Sequence, residues 1–386
     1  MALNLHKGLK DKIKNKLVEQ IPAIQINHKK FIKRESTSGL LSANEALPDH
    51  GPIIDSLNSY ISEWPLYDFL YGYISKELEE KQKYDSEQDS QTITEIDEYS
   101  DIHATVDRLV ELFDSLPWRY RFTLDIKSTL EPFFSDKTEF NISDNIRIIK
   151  ADESFIERHP LSFTDAGNSV GLISLAMLGR NLPSGWKSDS LYLQVDIDGF
   201  IGKYVSTQTT ENVVTTIKAF CGLSIALRLL KVEHTYHPSA PKLNLLIHKN
   251  FSGEWGFDEA EDLNDDISRS ISDLIFNDLD GDLKSDAQKS SWIERKLNDL
   301  SIVFNEPGKS EKIVLAGQWF FDSYTGNNEL LSFVQTMVAL EILLGDRASS
   351  DVVGLGELLR NRCAYLIGKT HDQRTVLLDD FKKIYN

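Results

Sequence analysis

With 386 residues, 41% of them hydrophobic and 26% charged, the chain has room for two or three domains and a large core. Its 60 acidic residues outnumber 42 lysines and arginines, and the formal charge of −18 opposes non-specific attraction to phosphate backbones or anionic lipid, so any nucleic-acid site must be a local basic patch. No run approaches the roughly twenty apolar residues needed to cross a bilayer, and the two cysteines, Cys221 and Cys363, lack a CxxC or a nearby histidine, which fits buried thiols in a reduced, cytoplasmic chain.

The opening MALNLHKGLKDKIKNKLVEQI sets Leu3, Leu5, Leu9, Ile13 and Leu17 among lysines. That spacing predicts an amphipathic helix packed on the protein or on a partner, not a secretory signal. Residues 52–80 predict helices interrupted near Pro65. The acidic stretch EKQKYDSEQDSQTITEIDEYSD has few large apolar residues, so a mobile loop is expected near 80–101. Helical spacing resumes at IHATVDRLVELFDSLPWRYRF, which makes residues 1–120 a mainly helical N-terminal region.

Residues 121–290 carry mixed signals. TEFNISDNIRIIKA and SLYLQVDIDGFIGKYVS alternate in the manner of strands, with a turn-forming pair at Asp198 and Gly199. ENVVTTIKAFCGLSIALRLLKV predicts a buried helix and KLNLLIHKNF a further strand, so this part is expected to be an α+β domain. In FNDLDGDLKSDA, alignment on Gly281 as the sharp turn of a calcium loop puts Phe276 at the first ligand position and Ala287 where a bidentate glutamate is required, so a solvated turn is expected. Residues 291–386 then show successive helical segments with turn chemistry at PGKSE and GNNE. The fold expected is α+β: a mixed N-terminal and central region followed by a C-terminal antiparallel helical bundle.

Chemistry is mostly excluded. There is no GxxxxGK[ST], no GxGxxG after a strand, no HExxH and no GxSxG. Among nine dispersed histidines the nearest pair, His234 and His237, lacks a second cluster at metal-ligand spacing, so no metal is expected. Arg228 and His234 lie at a spacing compatible with RNA scission, in which arginine stabilises phosphorane-like charge and histidine moves a proton. The segment between them passes from helix to strand, however, and the two would not share a helical face. In PWRYRFTL, Arg119 and Arg121 alternate with Trp118, Tyr120 and Phe122, which suits either phosphate contact with base stacking or a strand entry with exposed arginines.

From about Lys312 to Asn386 the chain resembles the HEPN domain of the ApeA-like group, helical ribonuclease modules of bacterial anti-phage and toxin systems. LAGQWFFDSYTGNNELLSFVQTMVALEILLG resembles that group's paired helices, with Ala339, Leu340 and Glu341 closing the second. LLRNRCAYLIG resembles its arginine-bearing helix through Arg362, Ala364, Leu366 and Gly368, and HDQRTVLLDDFKKIYN the start of its last major helix, with Arg374 and Tyr385 at recurrent positions.

Elementary physics gives these residues structural roles as well. Glu341 on an apolar helix wants a cation such as Arg362, and Gly368 suits a left-handed helix end. Leu377, Leu378, Phe381 and Ile384 recur as one apolar stripe. The resemblance implies a metal-independent, cofactor-free RNA endonuclease working as a homodimer through the bundle, with the preceding residues sensing a phage-derived or host protein. It also implies a catalytic arginine and histidine just after the tyrosine that Tyr385 matches, and the sequence ends at Asn386 before them. The expectation is an RNase fold without its cleaving pair at that place, through truncation or because the module is a noncatalytic protein-binding or assembly component.

Overall fold

The computed structural model describes residues 2–27, 31–80, 90–127, 130–161, 185–187, 190–233, 242–279, 281–325, 328–346 and 354–385. The N-terminal region is built from α1 (Lys7–Gln20), α2 (Thr37–Ala43), α3 (Pro52–Tyr60), α4 (Pro65–Glu80) and α5 (Ile102–Asp114). On α1 the expected stripe is real: Leu9, Ile13 and Leu17 are buried, while the lysines face outward to partners such as Asp114 and Glu45. Pro65 opens α4 five residues after Tyr60 ends α3, because proline fits a first helical turn but not a helix interior.

Of the loop expected near 80–101, residues 81–89 lie outside the described residues, and residues 90–101 form regular structure. Ser90–Thr92 forms β2 and pairs antiparallel with β1 (Gln25–Asn27). Thr92 and Glu95 then make a capping box, while Ile93 and Tyr99 are wholly buried beside Ile26 and Phe113. The Tyr99 hydroxyl donates to Glu77 of α4, which Arg108 of α5 also engages. The buried side chains of Ile93 and Tyr99 and a half-buried ion pair thus tie down a segment whose average composition is polar.

The centre is a six-stranded antiparallel sheet in the order β4-β5-β6-β3-β8-β9. Its strands are β3 (Trp118–Lys127), β4 (Glu139–Asn141), β5 (Ile146–Lys150), β6 (Leu191–Gly199), β8 (Asn244–Phe251) and β9 (Glu254–Asp262). Two-residue periodicity sends Tyr120, Phe122 and Leu124 to one face with Leu191, Leu193, Val195, Ile148 and Ile247. That face packs on α7 (Gln208–Ala226) through Val213, Ile217 and Phe220. Asp198 and Gly199 do not form a hairpin turn. They pair with Arg119 and Trp118 inside the ladder, and a Cβ on Gly199 would stand 2.1 Å from Thr209 Oγ1, so glycine is there for a close approach.

After α7 come β7 (Leu230–Val232), α8 (Asp265–Ser272) and β10 (Leu274–Phe276), the two short strands pairing with each other. The helices α9 (Asp286–Asn305), α10 (Pro307–Asp322), α11 (Glu329–Leu344), α12 (Leu355–Ile367) and α13 (His371–Tyr385) follow in succession. Thus α+β order and a helical C-terminal region are both present. Ile293, Leu297 and Leu300 of α9 and Phe321 of α10 belong to the sheet's own apolar core. A Cβ on Gly222 of α7 would meet the Gly317 carbonyl of α10 at 1.9 Å, so these two helices cross in intimate contact. Among the described residues, no helix is long and apolar enough to cross a membrane.

Candidate functional site

The sheet's second face holds a concentrated group of charged side chains. Alternation places Arg119 and Arg121 of β3, Asp196 of β6, Arg147 of β5 and His248 of β8 on it. Asp196, 3% exposed, is the hub. Its Oδ1 accepts from Arg121 Nε at 2.7 Å, and its Oδ2 from Arg121 Nη2 at 2.8 Å and Arg147 Nη2 at 2.6 Å, with Arg119 Nη2 at 3.5 Å. The Arg121 guanidinium is covered by the Trp255 ring of β9, 4.0 Å from its centroid.

The remaining Arg121 donor, Nη1, lies 3.0 Å from His159 Nε2, just beyond α6 (Glu153–Arg158). Since the guanidinium can only donate, His159 Nε2 accepts, and its Nδ1–H donates to the Phe155 carbonyl at 3.0 Å. His248 takes the other tautomer: Nε2–H donates to the Pro160 carbonyl at 3.0 Å, and the buried Nδ1 has no hydrogen-bond partner. Burial pushes His159 down to about 3 and His248 down to about 4, so both rings are neutral at pH 7. Trp186 stacks beside His248 and donates to the His159 carbonyl at 2.6 Å.

This geometry alters what Arg119 and Arg121 can do. Trp118, Tyr120 and Phe122 point to the opposite face, so they cannot stack bases beside phosphates held by those arginines. Arg121 is 8% exposed and its donors are committed to Asp196 and His159, which removes it as a surface contact of either expected kind. Arg119 is half exposed, between Asp196 and Asp198. Arg121 and His159 do form an arginine–histidine pair, but a guanidinium occupied by a carboxylate and a buried neutral imidazole join the sheet to α6; they do not meet a scissile phosphate.

Arg228 is exposed, with a left-handed φ of +58° just past α7, and its carbonyl accepts from Trp292 Nε1 at 3.4 Å. β7 follows directly, so the helix-to-strand passage is as the sequence indicates, while His234 and its neighbour His237 lie outside the described residues. The Cys221 thiol is wholly buried and pushed up to about 12, and burial also raises that of Cys363, as expected of inert thiols.

In the C-terminal helices, the expected Glu341 partner is engaged elsewhere. Arg362 Nη1 donates to the Leu344 carbonyl at 2.5 Å and its Nη2 lies 3.9 Å from Asp346, so it caps the end of α11. Arg374 does the same for α12, with Nε donating to the Gly368 carbonyl at 2.9 Å while its guanidinium stacks on Tyr365. Gly368 is extended and not left-handed, with φ −75°. Its Cβ would meet Arg374 Cγ at 2.6 Å, so the glycine admits the capping side chain. Tyr385 ends α13.

These helices leave much apolar surface open. Leu330 is 72% exposed and Leu366 73%, and Leu331, Phe333, Val334, Tyr365 and Ile367 are also exposed. Ala339 is the one buried residue of α11. Comparison with family models, with curated proteins and with solved structures finds no match for this chain.

Proposed function

We propose that this chain carries the helical scaffold and the regulatory portion of a HEPN-type RNA endonuclease that acts in bacterial anti-phage defence or as a toxin. The observation that supports this most is the exposed apolar surface of α11 and α12, which suits a helical module completed by a second copy of itself. The arginine-capped ends at Leu344 and Gly368 support it further, since they fix successive helices of the resembling segment against one another. In this reading residues 1–290 respond to a phage-derived or host protein, and the helices pair as a homodimer. RNA is cut without a metal by an arginine that stabilises phosphate charge and a histidine that transfers protons.

The test is RNA cleavage in excess EDTA by the product of the whole reading frame, with residues 1–386 beside it. Cleavage by any protein carrying the arginine–histidine motif, leaving 2′,3′-cyclic phosphate ends and lost on replacing either residue, is the expected result. Intact RNA under all conditions would contradict it.

A second reading, a noncatalytic assembly component, is favoured by one observation: apart from Glu329 and Glu357, the exposed side chains of α11 and α12 are apolar or aromatic and none is basic, the chemistry of a protein partner. No RNA binding even at low salt, together with stable capture of a protein, would select it.

A further inference from the structure

The end of α7 and one side of α9 bring together a group of cations centred on Trp292. The Nε1–H of Trp292 donates to the Arg228 carbonyl at 3.4 Å, and the Arg295 guanidinium and Lys296 ammonium lie 4.5 Å and 4.9 Å from its ring centroid. Lys289, Trp292 and Lys296 follow one another at three- and four-residue spacing, so they share a stripe of α9.

The carboxylates on and beside this stripe are engaged. Glu294 pairs with Lys137 at 2.9 Å, Asp299 with Lys296 at 3.3 Å and Asp278 with Lys231 at 3.4 Å. Asp286 sits in the first turn of α9, where the helix dipole favours an acid. Arg228, Lys289 and Arg295 have no ion pair among the described residues. The lysines of α1 are different, since Lys10, Lys14 and Lys16 are matched by Asp114, Asp107 and Glu45. In a chain of net charge −18, three unmatched cations around one tryptophan make a local positive surface.

Arg228 is also an unusual choice for its place. The Leu229 N–H donates to the Ser224 carbonyl and the Arg228 N–H to the Ile225 carbonyl, both at 2.9 Å, the pair of bonds that closes a helix through a left-handed residue. Glycine fills that position without the clash that an L side chain meets at φ +58°. An exposed arginine stands there instead, next to cations ordered on an aromatic ring. Strained backbone that keeps a charged side chain in the open points to a ligand for that charge. Lys289 and Lys296 are about 10 Å apart along the helix axis, a row longer than one phosphate group and suited to successive phosphates of a strand.

We propose that this surface binds single-stranded nucleic acid through its phosphodiester backbone, with Arg228, Lys289, Arg295 and Lys296 donating to phosphate oxygens. Trp292 holds two of the four cations in place, which lowers the entropy lost on binding. Such contacts position a strand without reading its sequence. The surface lies outside residues 312–386, the segment that resembles a nuclease, and the proposal does not rest on cleavage.

The test is fluorescence anisotropy of labelled oligouridylate and oligothymidylate strands of about 20 nucleotides, titrated with the whole chain in EDTA between about 50 and 200 mM salt. Saturable binding of both strands is expected, with log K falling against log salt at a slope of about −2 or steeper, because each single-strand phosphate contact contributes about −0.7. In R228G/K289Q/R295Q, binding should weaken at least about tenfold at the lower salt and the slope should become shallower by about 2. Should that variant fail to fold, R228G alone carries the test. It relieves the left-handed backbone, so it should keep or raise the melting temperature while binding weakens about threefold. Binding of one strand alone would assign the surface to RNA or to DNA. The control, K7Q/K12Q/R34Q, removes three exposed cations elsewhere. Equal weakening in the control, a wild-type salt slope in the triple variant, or no saturable binding of either strand would overturn the proposal. RNA that is bound here yet never cut by the product of the whole reading frame would contradict the nuclease reading alone.

Discussion

The central sheet and the last three helices treat their side chains in opposite ways. The sheet unit buries even charged and titratable groups: the Asp196–Arg121 ion pair and the neutral rings of His159 and His248 are all enclosed, each of their polar atoms but the His248 Nδ1 being matched. The helices α11, α12 and α13 instead leave leucines, a phenylalanine and an isoleucine in the open. Burying a charge is costly unless it is paired, and exposing a large apolar side chain forgoes about 1.5–3 kcal/mol. The first region is therefore a closed structure whose polar residues serve the fold, and the second presents surface that gains by being covered.

That contrast can be broken most severely at its hub. Asp196→Ala strands three arginines around a buried hole, and a loss of roughly 3–5 kcal/mol in urea unfolding is expected. A loss below about 1 kcal/mol would show that water already serves those guanidinium groups. The next largest effect belongs to the crossing that joins the sheet's helix to the C-terminal region. Gly222→Ala forces a methyl onto the Gly317 carbonyl, and about 1–3 kcal/mol should be lost by the same measurement.

The buried histidines give a pH signature that the exposed helices lack. Unfolded histidines take up protons near the ordinary 6.5, whereas folded His248 and His159 resist until about 4 and about 3. The unfolded state thus binds more protons as pH falls below 6.5, so stability is complete above that value and declines toward pH 4. Each histidine contributes at most about 1.4 kcal/mol per pH unit, and His248→Gln should flatten the decline by about one such share. An unchanged slope would mean that His248 is solvated. The smallest effect on folding is expected at the open helices, where Leu330→Glu and Leu366→Glu should each change monomer stability by less than about 0.5 kcal/mol.

Much of this architecture is legible in local pattern. The run through Val213, Ile217 and Phe220 reads as a buried helix because its apolar spacing is helical, and RYRFTL, RIIK and LYLQVD alternate as strands do. What the sequence hides is pairing at a distance. Asp196 looks like an ordinary polar residue between Val195 and Ile197, and only the register of β5, β6 and β3 brings Arg147 and Arg121 to it from 49 and 75 residues away. A clue was present in the complementary alternation of RYR against DID. Likewise, the helical spacing of Ile293, Leu297 and Leu300 marks an apolar stripe without saying that it joins the same core as the apolar face of the sheet. The ordering of residues 90–99 rests on Ile93 and Tyr99, two anchors that average composition conceals. The apolar setting of Glu341 points to Arg362 as its partner, but that Arg362 reaches a helix-end carbonyl, as Arg374 also does, depends on helix placement.

On the proposed reading, α11 and α12 present their apolar residues to a second copy of the chain. Sedimentation equilibrium on residues 1–386 and on the L330E/L366E variant tests it most directly. A concentration-dependent dimer for the wild type and a folded monomer for the variant is the expected result. A wild-type chain that stays monomeric at every soluble concentration, or a variant that dimerises equally well, would contradict it.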